Sequence, residues 1–263
     1  MLRNDIIFLK QAFQTSMEIV KNDALCVSVL KRKFAHSWRV LQNGLAIIDA
    51  DIPEIISQPL LKRQCEQALL LHDIGRFEET VTAYKDKAMQ NWGKKYDHGM
   101  LGSLILAENS AYNDKKTVLA VRHHGHMIED FYNDKEYQNL SADEQKKAEL
   151  MVKLVRDADK LDLYYLQHEE NNIESDPFFC SLAEELKYAP ISPKVWEQFD
   201  ACQTIRHNTI RSLSDRILGC ISWQFDFNYP LTGKIYRSKG YHDMLVRLLD
   251  KYCPDKNIIK ILK

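Results

Sequence analysis

Apolar residues recur at spacings of three and four along almost the whole chain, the period of an amphipathic helix. Ile6, Leu9, Phe13, Met17 and Val20 form the first such stripe. A second covers about 32–48, with Trp38, Leu41, Leu45 and Ile48 facing inward. Ser57 followed by Pro59 marks the next helix start, because proline has no N–H to lose in a first turn. That helix carries Leu60, Leu69 and Leu70 and ends near His72-Asp73-Ile74-Gly75. Asp97 is placed to cap a helix bearing His98, Leu101, Leu104 and Leu106. Another helix closes at His123-His124-Gly125, with Gly125 as its C-cap. Ser141 opens a long helix through Leu150, Leu154 and Leu161 to about His168. Ser192-Pro193 opens one more, through Val195, Phe199, Ile205 and Leu213, and a last helix spans about 240–252.

Three stretches leave this pattern. Residues 221–236 alternate Trp223, Phe225, Phe227 and Tyr229, which reads as a short strand pair or an extended loop with core or subunit-contact aromatics. The polar stretch 78–96, with Gly93 near its end, and the acidic, aromatic stretch 126–140 read as loops. Both follow histidine-bearing helices, as lids often do. The pattern predicts an all-α fold. Residues 1–175 form one helical domain, and 176–263 form a helical C-terminal extension packed on the same core.

Composition adds little to the fold and narrows the function. With 263 residues, 45% of them hydrophobic and 28% charged, the chain can bury a sizeable core as a soluble protein. Its 36 basic and 37 acidic residues leave a formal net charge of −1, so neither nucleic acid nor an anionic membrane is an expected partner. The N-terminus lacks the apolar core of a signal peptide, and no eighteen-residue apolar run follows. Six scattered cysteines without a C-x-x-C pair read as reduced thiols. A cytoplasmic location is expected.

The chemistry lies in the histidines. His72-Asp73 and His123-His124 fall at the ends of apolar helices, His36 lies inside the second helix, and His98 opens another. Asp157 and Asp159 follow in Arg156-Asp157-Ala158-Asp159-Lys160-Leu161-Asp162. Imidazole together with carboxylate suits Mn²⁺, Fe²⁺, Co²⁺, Ni²⁺ or Zn²⁺. Helical bundles build such sites from facing helices, which explains ligands far apart in sequence.

His36, His72-Asp73 with Ile74-Gly75, and Asp159 resemble the H…HD…D pattern of the HD-domain metal-dependent phosphohydrolases, over roughly residues 30–165. His98-x-x-x-Gly102 and His123-His124 resemble further elements of two-metal members, and Asp159-Lys160-Leu161-Asp162 resembles the D-x-x-D element of the HD-GYP phosphodiesterases. Gly125-His126-Met127 stands where those enzymes carry G-Y-P, and no Glu-Asp pair of the alarmone hydrolases follows His72-Asp73. The resemblance implies an HD-domain helical bundle and hydrolysis of a phosphomonoester or phosphodiester, a nucleotide above all, through a metal-activated hydroxide. It implies one or two divalent metals per chain, Mg²⁺ included. His36, His72, Asp73 and Asp159 would hold the first, and Asp73 would bridge to a second held by His98, His123 and His124. Arg76 and Lys160 would be the cations nearest the phosphate, so Asp73, Arg76 and Lys160 are the candidate catalytic residues. Two other readings fit the same ligand pattern: a di-iron oxygenase of the same fold, and a non-catalytic metal and nucleotide sensor.

Other residues have plainer readings. His168, His207 and His242 read as ordinary core or surface histidines, and His126 as a neighbour of the pocket. Asp157 and Asp162 are placed to hydrogen-bond a ligand histidine or to be exposed carboxylates. Lys31-Arg32-Lys33 reads as a solvated helix face, and Met100 and Met127 as gap-fillers. A homo-oligomer is compatible with the sequence.

Overall fold

The computed structural model describes residues 2–89, 96–169 and 182–262, and every element among them is helical. The chain separates into two compact units, Met1–Asp162 and Leu163–Lys263. Gly93, Cys180 and the expected 175/176 boundary lie outside the described residues.

The first unit holds α1 (Leu2–Val20), α2 (Ala24–Asp51), α3 (Pro59–Leu71), α4 (Gly75–Lys85), α5 (His98–Ala107), α6 (Lys115–His123), α7 (Ile128–Tyr132), α8 (Lys135–Gln138) and α9 (Ala142–Glu169) up to Asp162. Several starts follow from their caps. Asp23 accepts from the Cys26 N–H at 2.9 Å, which begins α2 earlier than its apolar stripe suggests. Asp97 accepts from the Met100 N–H at 3.0 Å, and Pro59 occupies the first turn of α3. Ser141 and Glu144 bond reciprocally, Ser141 N–H to Oε2 at 3.2 Å and Glu144 N–H to Oγ at 3.4 Å.

Leu69, Leu70 and Leu71 at the end of α3 are all fully buried, as are Leu119, Ala120 and Val121 of α6 and Met151, Val152, Leu154 and Val155 of α9. Runs buried on every side mark the central helices. Each such leucine contributes about 1.5–3 kcal/mol by leaving water. Arg63 of α3 grips both carboxylate oxygens of the fully buried Asp5, which ties α1 to this core. Gly75 and Gly102 let α4 and α5 meet backbone to backbone. A Cβ on Gly75 would stand 2.1 Å from the His98 carbonyl oxygen and 2.5 Å from the Gly102 nitrogen.

The second unit holds α10 (Glu184–Lys187), α11 (Pro193–Asp200), α12 (Leu213–Ser222), α13 (Pro230–Ser238), α14 (Tyr241–Tyr252) and α15 (Lys256–Leu262). Its core gathers Tyr164, Val195, Ile217, Ile221, Tyr236, Leu245 and Leu249. The buried Asp215 closes a capping box with Ser212 and also accepts from the Ser192 and Arg211 N–H groups.

Several expectations need correction. Residues 221–236 form no strand pair: Trp223–Asp226 is a 3₁₀ turn, and Pro230 then starts α13, its missing N–H harmless in a first turn. The polar stretch 78–96 is helical up to Lys85, and 126–140 contains α7 and α8. The helix opened by Ser192 stops at Asp200 instead of reaching Leu213. There Cys202 takes φ 53°, with its N–H on the Phe199 carbonyl and the Gln203 N–H on that of Gln198, the Schellman arrangement usually built on glycine. Lys87, at φ 52°, ends α4 in the same way. Gly125 does not cap α6 in the left-handed region. His124 is the C-cap, and the buried Arg156 of α9 donates through Nη1 to the carbonyls of His123, His124 and His126.

Candidate metal centre

Two helices of the first unit end alike. His72 caps α3 and directs Nδ1 to the Leu69 carbonyl at 2.9 Å; His124 caps α6 and directs Nδ1 to the Val121 carbonyl at 2.7 Å. A carbonyl only accepts, so Nδ1 carries the proton and Nε2 of the neutral ring is a bare lone pair. On α2, His36 directs Nδ1 to Asp162 Oδ2 at 2.6 Å, and Arg39 grips both Asp162 oxygens at 2.5 and 3.1 Å.

These Nε2 atoms meet in pairs. His36 and His72 stand 3.1 Å apart, and His98, first residue of α5, stands 3.1 Å from His124. Asp73 lies between the pairs. Its Oδ2 is 3.3 Å from His36 and 3.8 Å from His72; its Oδ1 is 3.4 Å from His98 and 3.6 Å from His124. Asp159 Oδ1 is 3.1 Å from His36 and 3.8 Å from His72. Among the described residues, His36, His72 and Asp73 form one group able to hold a metal ion, and Asp73, His98 and His124 form another. The donor chemistry fits such an ion. Lone pairs this close repel unless they share a proton or a cation, and oriented imidazoles with carboxylates suit a divalent transition metal.

The electrostatics favour neutral His72 and His98 and ionised Asp73 and Asp159, and favour a proton on His36. Burial and the Lys33 ammonium push the His36 pKa down, but Asp159, Asp162 and Asp73 outweigh them and raise it to about 10. Burial lowers His72 to about 4 despite the Asp73 charge beside it. Burial opposes ionisation of Asp73, yet Lys33, His72 and bonds from His124 and His36 hold its carboxyl well below the usual range. Asp159 is lowered too: burial resists, and His36 prevails. Burial and the Arg76 charge keep His98 well below an ordinary histidine.

Of the residues singled out in the sequence, His36, His72, Asp73, His98, His124 and Asp159 come together. Arg76 flanks them, its Nε 3.6 Å from Asp73 Oδ1 and its Nη1 donating to Glu79 at 2.7 Å. Lys160 is buried on α9 next to Asp159. His123 stands apart from both groups: its Nε2 meets Asp134 Oδ2 at 2.8 Å and its Nδ1 meets His126 Nδ1 at 3.3 Å. Asp162 does hydrogen-bond a histidine of the cluster, whereas Asp157 is fully buried and not exposed.

Lys33 overturns its reading as a solvated residue. It is largely buried, with Nζ 2.8 Å from Asp73 Oδ2. The spacing held a usable signal, since Lys33, His36 and Arg39 lie three residues apart and so share one face of α2.

The HD-domain family model matches residues 34–164, the stretch that encloses His36 through Asp159, and over that stretch the chain belongs to the HD-domain family. That assignment places it in a superfamily of metal-dependent hydrolases whose members are mostly phosphohydrolases. No curated protein and no solved structure matches the chain. No described helix is long and apolar enough to cross a membrane.

Proposed function

We propose that this chain is a divalent-metal-dependent phosphohydrolase acting on a small phosphate ester, with nucleotides as its substrate class. The observation that carries the reading is the Asp73 carboxylate, whose two oxygens face two different histidine pairs. A carboxylate shared in this way offsets the repulsion between two neighbouring cations. His36, His72, Asp73 and Asp159 would hold one ion, and Asp73, His98 and His124 the other. Mn²⁺, Fe²⁺, Co²⁺, Ni²⁺, Zn²⁺ and Mg²⁺ are the candidates. When bound, such ions polarise a phosphoryl oxygen and lower the pKa of water from about 15.7 towards about 7.

The chain's own residues do the rest. Asp162, backed by Arg39, fixes the ring of His36, and the Leu69 and Val121 carbonyls fix those of His72 and His124. Lys33 and Arg76 flank opposite oxygens of Asp73, so a phosphate entering there meets a point charge on one side and a fork of donors on the other. Lys160 adds positive charge beside Asp159.

The test is phosphate release from a panel of nucleotides, dinucleotides and sugar phosphates with each metal in turn. Turnover by the native chain and none by Asp73→Ala is the expected result. Activity retained in Asp73→Ala overturns the reading, as does silence with every metal and ester.

A further inference from the structure

The histidine pair outside the cluster repeats its geometry. His123 and His126 face each other through Nδ1 at 3.3 Å, against 3.1 Å for each of the two inner Nε2 pairs. Two nitrogens bound at about 2.0–2.1 Å to one tetrahedral ion stand about 3.3–3.4 Å apart. The far nitrogens are tied down as metal-binding imidazoles are. His123 Nε2 meets Asp134 Oδ2 at 2.8 Å, and His126 Nε2 meets Asp97 Oδ2 at 3.0 Å.

Proton accounting makes the pair unusual. A carboxylate only accepts, so each Nε2 must carry its ring's proton, and in neutral rings both Nδ1 atoms are then bare and aimed at each other. A positive charge, a shared proton or a metal cation, must lie between them. The neighbouring cations do not supply it, because Arg122 bonds Asp134 at 2.9 Å and Arg156 bonds backbone carbonyls, that of His126 among them.

We propose that His123 and His126 form a third metal position, distinct from the two inner groups, that takes a divalent ion of the zinc, cobalt or nickel kind through the two Nδ1 atoms. Asp134 and Asp97 orient the rings. The His126 side chain is 30% exposed, so the remaining coordination positions open to solvent and the ion exchanges readily. Two dipeptides join the inner and outer positions. Asp97-His98 and His123-His124 each give one residue to the outer pair and the next to the inner group. The assignment stands whether or not the chain hydrolyses a phosphate.

The experiment is metal analysis of the full chain after equilibration with Co²⁺, with folding of each variant checked by circular dichroism. The native chain should bind one more equivalent than His126→Ala and release that equivalent first on dialysis. Asp97→Asn keeps the cap on α5, since asparagine also caps helices, and should weaken the same equivalent about 10–100-fold. Asp73→Asn should lose inner ions and keep the outer one, which separates failure of this proposal from failure of the hydrolase reading. Equal stoichiometry in the native chain and His126→Ala overturns the proposal, since a shared proton then bridges the pair.

Discussion

Cys202 and Lys87 hold backbone angles that cost an L-residue about 1–2 kcal/mol and glycine almost nothing. Each ends a helix, and neither is glycine, which is why both helix ends escaped the sequence pattern. Asp97 and Ser141 announced helix starts through their side chains; nothing in a cysteine or a lysine announces a stop. Cys202→Gly and Lys87→Gly should therefore each stabilise the protein by about 0.5–1 kcal/mol, the gain being partly offset by glycine's freedom in the unfolded chain. A urea midpoint that does not rise in either variant would refute this. At the same scale, His123 shows the limit of reading ligands from order alone. The two rings part because His123, the last residue of α6, sends Nε2 to Asp134, whereas His124, its C-cap, turns Nδ1 back to the Val121 carbonyl. The pattern named both, and the structure brings only His124 to Asp73.

Between elements, the decisive contact is the approach of α4 to α5. A methyl at Gly75 would collide with the His98 carbonyl and the Gly102 nitrogen, both backbone atoms that cannot swing aside. Gly75→Ala should push α5 away, cost about 1–3 kcal/mol or more as overpacking does, and carry His98 off its place beside His124. Its metal content should fall along with its Tm. Gly125→Ala is the matched control, because a Cβ there would stand 3.6 Å from the His98 ring, an ordinary contact. If both variants lose metal equally, close helix packing is not what places His98. The motifs Ile74-Gly75 and His98-x-x-x-Gly102 were legible as a resemblance; their cause, one helix pressed backbone to backbone on another, was not.

Over the whole molecule, near-neutral charge conceals strong local contrasts. The fully buried Cys65 is one. Burial first, and then the Glu66 carboxylate, raise its thiol pKa from 9.0 to about 12. The folded chain keeps that proton where the unfolded chain begins to lose it near pH 9. The resulting stabilisation is full below pH 9 and disappears as pH rises towards 12. Cys65→Ala should be less stable at pH 7, because it leaves a cavity, yet should lose stability less steeply between pH 9 and 11. Parallel urea midpoints for the two proteins across that range would count against it. Sequence periodicity identified the all-helical class and most helices of the first unit, because amphipathic stripes are written in residue types, but in the second it ran α11 and α12 together and read α13 as a strand pair or loop. It said nothing of α15, whose roughly two turns after Pro254 carry too little pattern.

Lys33 and Arg39 lie one turn either side of His36, each on a buried carboxylate. They offset part of the charge that Asp73, Asp159 and Asp162 place around that ring, and these carboxylates still raise the His36 pKa to about 10. A divalent ion held through Nε2 of His36 would have to displace the proton that these carboxylates favour there. With the ions proposed above, the cluster would work as an ion exchanger. Loading would then liberate acid, rise about tenfold per pH unit for each proton displaced, and reverse in an acidified medium, so the pH of the surroundings would set how fully the protein is charged with metal.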